Sequence, residues 1–384
     1  MANDCDVFLF AGEPSGDLHG EALTIQLKKK YPHLKIVGVA GPRMRMAGVE
    51  SILPMESFQV MGFIDVFAAL PRLIKQFYFV AKTVLTLSPK VALFIDYPGF
   101  NLRMEKHLRK KGFKGKLFHY ICPSVWVYGK GRILTMQENL DELLCILPFE
   151  KECFSSSPLQ VSYVGNPLVT RVAEYSYRSL ESLENKKVIA LFPGSRTKEI
   201  LRNFPLYLQL IKKWSALHPE LHYAVSISRE EHAPLLKEMI EKSGLDKSGR
   251  ITCISPERTY DLMKMATLAI AKSGTVTLEL ALHGVPTVVT YAATKLDVFI
   301  AKDLLKISLP YYSLASLLCK EQVFPELIGP NFTLENLEKE TQNLLQEPNQ
   351  QRCKALCAKL PSILGTQKAS VGAAVHVAKA LGLE

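Results

Sequence analysis

Short, unbroken runs of apolar and β-branched residues alternate along the chain with longer stretches in which apolar positions recur every three or four residues. Six such runs fall in the first 167 residues, at 7–11, 36–40, 91–96, 116–122, 143–147 and 161–164. Continuous apolarity, rather than strict alternation, marks strands covered on both faces, as in a parallel sheet. Between the first two, residues 20–31 place Ala22, Leu23 and Leu27 on one face and lysines on the other, and stop at Pro32, as an amphipathic helix does. The pattern pauses over the polar stretch 174–187 and restarts with Val188-Ile-Ala-Leu-Phe192, followed by strands at 222–227, 251–254, 268–271 and 286–291. The expected fold class is α/β: two Rossmann-like domains, 1–167 and 188–360, with parallel sheets facing a central cleft and the polar stretch as linker. A last helix, within 361–384, either caps the second domain or crosses back onto the first.

Composition supports two cores, since 384 residues are 48% apolar and 22% charged. No window is apolar enough to span a bilayer and the first residues lack a signal-peptide pattern, so the chain is expected to fold in the cytosol. The eight cysteines lack the paired spacing of a zinc site and read as reduced thiols, with no metal assigned. A formal charge of +10 favours an acidic partner. Its densest segment, Arg103, Lys106, Arg109, Lys110, Lys111, Lys114 and Lys116, carries no stacking aromatics; it reads as a solvated helix face or a surface for phosphate or lipid, and nucleic acid is not expected.

Four turns follow strands, where open α/β sheets bind ligands. In the first, Ala11-Gly-Glu-Pro-Ser-Gly-Asp17, the glycine spacing does not fit a dinucleotide fingerprint. Glu13, Ser15, Gly16 and Asp17 there form a cluster suited to sugar hydroxyls, although Ser15 or Asp17 alone equally well caps a helix. In the second, Asp96 ends a buried strand before Tyr97-Pro98-Gly99. A half-buried carboxylate can act as general base on an acceptor hydroxyl, and a strand-end Asp can also simply cap a turn. The third, Pro193-Gly194-Ser195-Arg196, offers backbone amides and a guanidinium to a diphosphate, with Arg196 placed to stabilise a leaving group. In the fourth, Ser273-Gly274-Thr275, amides suit a phosphate and Glu279, one helical turn on, suits ribose hydroxyls. Neither nucleotide turn has the Gly-Lys-Ser/Thr of an ATPase loop.

These turns, joined in order to Gly38-Val-Ala-Gly-Pro-Arg43, Val60-Met61-Gly62, Pro123-Ser-Val-Trp126 and Leu147-Pro-Phe-Glu150, resemble the lipid-A-disaccharide synthase family over nearly the whole chain. The resemblance implies a GT-B fold and a metal-independent inverting hexosyltransferase with no cofactor. Its substrates would be UDP-2,3-diacylglucosamine and 2,3-diacylglucosamine 1-phosphate (lipid X), and its products the lipid A disaccharide 1-phosphate and UDP. It further implies Asp96 as base and Arg196 as leaving-group clamp. Glu13, Ser15, Gly16, Asp17 and Met61 would lie on the acceptor side, and Gly194, Ser195, Arg196, Ser273, Gly274, Thr275, Glu279, Ser316 and Glu326 would lie around the nucleotide. Ser313-Leu-Ala-Ser316 departs from the family's usual Ser-Leu-Pro-Asn, and Pro325-Glu326-Leu-Ile-Gly329 ends in glycine where glutamine is usual. Other GT-B enzymes, a UDP-sugar epimerase or a peptidoglycan-type glucosaminyl transferase, would share the nucleotide turns.

Lipid substrates ask for a membrane-facing surface. Residues 61–87 combine apolar side chains, among them Val66, Phe67, Leu70, Leu73 and Phe77, with Arg72, Lys75 and Lys82 and one acid, Asp65. That mixture suits a segment lying in the interface at the cytoplasmic face of the inner membrane, with an ordinary core helix as the alternative. A homo-oligomer is compatible with the sequence.

Overall fold

The computed structural model describes residues 5–58, 63–127, 131–294 and 309–383, with side chains for all of these except 63–69. It divides into two compact units, Met1–Pro167 with Gly365–Glu384, and Leu168–Leu364.

The first unit holds strands β1 Val7–Ala11, β2 Ile36–Ala40, β3 Glu50–Pro54, β4 Val91–Ile95, β5 Lys116–Tyr120, β6 Glu142–Cys145 and β7 Gln160–Tyr163. All pair in parallel, in the order β3-β2-β1-β4-β5-β6-β7. Side chains alternate between two apolar layers: Phe8, Phe10, Ala92 and Phe94 enter one, and Val7, Leu9, Val91, Leu93 and Ile95 the other. Burial on both faces explains why these strands read as continuous apolar runs. Helices α1 Pro14–Lys30, α2 Pro42–Met46, α3 Phe63–Leu87, α4 Pro98–Lys110 and α5 Gly131–Asn139 lie between them.

The final helix, Ala369–Leu381, belongs to this unit. Ala369, Ala373, Val377 and Leu381, four residues apart, bury one stripe in the same layer as Leu23 and Leu27 of α1. The Tyr31 hydroxyl donates to the Leu383 carbonyl at 2.6 Å, and His376 Nδ1 lies 2.8 Å from Glu142 on β6.

The second unit holds β8 Lys187–Phe192, β9 Leu221–Ser226, β10 Ile251–Ile254, β11 Leu268–Lys272, β12 Thr287–Tyr291 and β13 Glu326–Ile328, parallel in the order β10-β9-β8-β11-β12-β13. Helices α6 Pro167–Glu174, α7 Thr197–Leu217, α8 Ala233–Ser243, α9 Thr259–Met265 and α10 Thr275–Leu282 flank it. In α7, Phe204, Tyr207, Ile211 and Trp214 are fully buried at helical spacing. In each sheet the chain grows outward from the first strand, then returns to start again beside it. The connections that leave β1 and β4, and likewise β8 and β11, therefore part at the carboxyl ends of these paired strands.

The polar stretch 174–187 differs from the expected linker. Leu180 and Leu183 are buried in the second unit's core, and Asp261 accepts from the Arg178 amide at 2.8 Å, so this segment is part of that unit. Helix α1 starts at Pro14, inside the expected turn, which places Ser15, Gly16 and Asp17 on its first turn. Asp17 is buried, and its two carboxylate oxygens accept from the amides of Arg43 (3.0 Å) and Met44 (3.1 Å) at the start of α2. Its expected role on the acceptor side is corrected accordingly: Asp17 satisfies the free N–H groups of a helix end.

Asp17→Ala leaves two amides without partners and should cost about 1–3 kcal/mol. Thermal unfolding followed by circular dichroism should show this as a fall of roughly 2–4 °C per kcal/mol, with UDP affinity unchanged.

Candidate functional site

At the carboxyl ends of β1 and β4 the chain brings Glu13 and Asp96 together. Glu13 is the last residue before α1; it has extended backbone (φ −151°), and its Oε1 accepts from the Ser15 hydroxyl at 2.8 Å. Asp96 and Tyr97 both adopt left-handed backbone, each with φ of 48°, which costs energy for residues with a Cβ. The buried Asn101 side chain holds this turn by donating to the carbonyls of Asp96 and of Ile95 (3.2 Å), and the Asp96 amide donates to Tyr120 O at 2.8 Å. Burial, followed by the neighbouring Glu13 carboxylate, pushes the Asp96 carboxyl up to about 6, with His119 pulling the other way. His119 is itself fully buried on β5, its Nδ1 2.6 Å from Glu105 of α4. Neither member of this pair stood out in the sequence, because a His inside an apolar strand and a Glu on a basic helix each look ordinary alone. Gly16 packs against the ends of β1 and β4, its position meeting Ala11 and the Ile95 carbonyl.

At the carboxyl ends of β8 and β11 the arrangement is cationic and rich in amides. Gly194 has φ +135°, and a Cβ there would lie 2.6 Å from Glu199 Cβ, so only glycine turns the chain into α7 at this point. The Ser195 amide donates to Glu199 Oε2 at 3.0 Å, and Lys272 Nζ lies 3.0 Å from Glu199 Oε1. Arg196 is 3.6 Å from the same carboxylate, with its side chain 81% exposed and open to a ligand. Burial works against ionisation of Glu199, but Lys272 and the Ser195 amide outweigh it and hold the carboxyl below its usual range. Gly274 and Thr275 are exposed at the head of α10.

Several expected donor-side residues are engaged elsewhere. The Ser273 amide donates to Thr290 O at 2.8 Å and its hydroxyl to Tyr312 O at 3.2 Å, and the Gly274 carbonyl accepts from the Thr277 amide and hydroxyl, which leaves the amide side of Gly274 and Thr275 as the part of that turn open to a ligand. Glu279 accepts from the Tyr260 hydroxyl at 2.7 Å and lies 3.9 Å from Arg171; burial raises its carboxyl above the usual range. Ser316 is fully buried in the first turn of a short helix, Leu314–Cys319, capped by Ser313; its hydroxyl accepts from Ser313 Oγ (2.8 Å) and the Val323 amide (3.1 Å), so its oxygen is engaged within the fold. Glu326 accepts from the amides of Tyr312 (2.7 Å) and Ser313 (2.8 Å) and fixes that same segment. Gly329 has φ +56°, which accounts for glycine at this departure from the family pattern.

On α3, Leu73 and Phe77 are corrected from the membrane-facing set: both pack on the first unit's core, Phe77 edge-on to Phe100 at 5.3 Å. The outward side of the helix carries Leu70, Ile74, Tyr78 and Phe79, each 47–59% exposed. Met61 and the side chains of Val66 and Phe67 lie outside the described residues. Among those described, no helix is long and apolar enough to cross a membrane.

The family model described as Lipid-A-disaccharide synthetase matches residues 7–376. The chain is 36% identical to a Lipid-A-disaccharide synthase of Chlamydia pneumoniae over 94% of its own length and 60% of that protein's, and 32% identical to one of Geobacter sulfurreducens over 98% and 97%. It thus spans between about a half and three fifths of the length of the chlamydial relatives it matches. Among solved structures it is similar to a putative UDP-N-acetylglucosamine 2-epimerase from Listeria monocytogenes, with TM-score 0.66, 13% identity, and 97% and 94% of the two chains covered. The S. aureus MnaA-UDP co-structure gives TM-score 0.66 at 12% identity over 99% and 98%. At such identities these two likenesses establish the fold, two Rossmann-like α/β units of the GT-B kind. With its sequence matched from the first strand to the final helix, the chain belongs to the lipid-A-disaccharide synthetase family.

Proposed function

We propose that this chain is an inverting glycosyltransferase that joins UDP-2,3-diacylglucosamine to 2,3-diacylglucosamine 1-phosphate, forming the β-linked disaccharide and releasing UDP. The observation that carries the reading is Asp96, a carboxylate whose pKa burial and Glu13 raise to about 6. Such a group is ionised at neutral pH yet basic enough to accept a proton. Asp96 takes the proton of the acceptor hydroxyl as that oxygen forms its bond to the anomeric carbon of the donor. The bond from that carbon to the diphosphate oxygen breaks on the opposite side, inverting the centre. The electron pair leaves with UDP, whose growing charge is met by Arg196 and the exposed amides of Gly274 and Thr275, a set that needs no metal ion or cofactor. Glu13 and Ser15 supply hydrogen bonds to the acceptor sugar.

Both substrates are acylated, and α3 supplies a surface for them. Leu70, Ile74 and Tyr78 form one stripe at four-residue spacing, flanked by exposed Arg72, Lys75 and Lys82. Helix α4 packs on α3 and presents Lys106 and Lys110 to solvent, joined by Lys111 at its C-cap. Arg109, by contrast, is tied to the carbonyls of Asn139, Phe113 and Gly115 and serves the fold. Apolar side chains between cations bind at an anionic lipid surface, here the cytoplasmic face of the inner membrane.

Four outcomes follow. Asp96→Asn should abolish disaccharide formation, read by mass spectrometry with both diacyl substrates, while UDP affinity stays within a few-fold; near-normal turnover would remove Asp96 from the chemistry. In the unmodified chain kcat/KM should rise with pH through about 6 and level off above it, since protonation of Asp96 removes the base; a rate flat from pH 5 to 8 would contradict its role. Arg196→Ala should lose about 2–4 kcal/mol of transition-state stabilisation in single-turnover rates. For the surface, Leu70→Glu with Ile74→Glu should lower binding to anionic vesicles by roughly tenfold or more in co-sedimentation, given about 1.5–3 kcal/mol per buried apolar side chain.

A further inference from the structure

The donor-side turn already contains an anion. Glu199, in the first turn of α7, places one carboxylate oxygen 3.0 Å from the Ser195 amide and the other 3.0 Å from Lys272 Nζ. A backbone amide at a helix start and an ammonium group are the donors that phosphate oxygens accept elsewhere in α/β proteins. Lys272 ends β11 across the strand-order reversal from Ser195, its side chain only 16% exposed and its Nζ 5.1 Å above the Tyr291 ring. An ammonium so far out of water needs an anion beside it, and removing the carboxylate without a replacement would be costly. A one-for-one exchange of anions avoids that cost, and the Tyr291 ring keeps the cation in place during it.

We propose that Lys272 is a second cation for the diphosphate of the donor, and that Glu199 is the internal anion that holds its place until the diphosphate arrives. The inference rests on the donor-site reading above and adds to it a binding residue and a reason for the buried ion pair. Arg196, exposed, then meets the incoming diphosphate from solvent, and Lys272 meets it from the floor of the turn. Glu199 competes with the ligand for the same donors, so product release is assisted as the carboxylate returns.

Isothermal titration of the full chain with UDP tests this. Lys272→Met keeps the aliphatic stem and removes the charge; UDP affinity should fall roughly ten- to hundredfold, and Lys272→Arg should recover most of it. Glu199→Gln can still accept from the Ser195 amide but no longer ion-pairs, so UDP should bind several-fold more tightly. Melting temperatures within a few degrees of the unmodified chain confirm folded variants. The proposal is overturned by Lys272→Met binding UDP within twofold of the unmodified chain, by Lys272→Arg failing as Lys272→Met does, or by Glu199→Gln weakening UDP. If the unmodified chain itself shows no UDP affinity, the donor-site reading falls, a result distinct from any of these.

Discussion

The structure depends on one topological constraint, the reversal of strand order beside the first strand of each sheet. Right-handed crossovers carry β2 and β3 to one side of β1 and β4 to β7 to the other, and the second sheet repeats the scheme about β8. The loops leaving β1 and β4 must therefore part, and so must those leaving β8 and β11. Each parting exposes helix starts and strand ends that nothing in the sheet satisfies. Four turns singled out by their composition occupy these two places, and the shifted carboxyls of Asp96 and Glu199 lie there.

The two places carry opposite electrostatics, which suits the division of labour proposed for them. Beside β1 and β4 two carboxylates, Glu13 and Asp96, are close enough that burial and mutual repulsion raise the second. Beside β8 and β11 the balance is cationic: Lys272 and Arg196 surround one carboxylate, which they hold ionised. A proton acceptor belongs at the first and a polyanion at the second. The backbone strain at Asp96 and Tyr97, paid by the buried Asn101 side chain, fits a carboxylate whose position matters more than local stability.

Much of this was legible in the sequence, for identifiable reasons. Strands buried on both faces announce themselves as apolar runs, so β1 and β2 lie where the pattern puts them. The edge strands β3 and β13 escaped, because Glu50–Pro54 and Glu326–Ile328 are only partly buried and each begins with a glutamate. Local composition cannot say which of two roles a polar residue takes when both use the same atoms. Asp17 and Ser316 have the chemistry of ligand contacts, but their oxygens are engaged by backbone amides brought from 26 and 7 residues away. The His119–Glu105 and Lys272–Glu199 pairs join residues on different elements, and no spacing rule within one segment finds them. The same holds for the stripe on α3, where the sequence gives the amphipathic segment and only the packing of Phe77 against Phe100 says which side faces out.

The division into an acceptor-side and a nucleotide-side turn set is tested most directly by amide hydrogen exchange of the whole chain with and without saturating UDP. Exchange should slow at residues 194–199 and 272–277 and stay unchanged at 12–17 and 96–101. Protection confined to the turns after β1 and β4, with those after β8 and β11 unaffected, would contradict the placement of the nucleotide on the second unit.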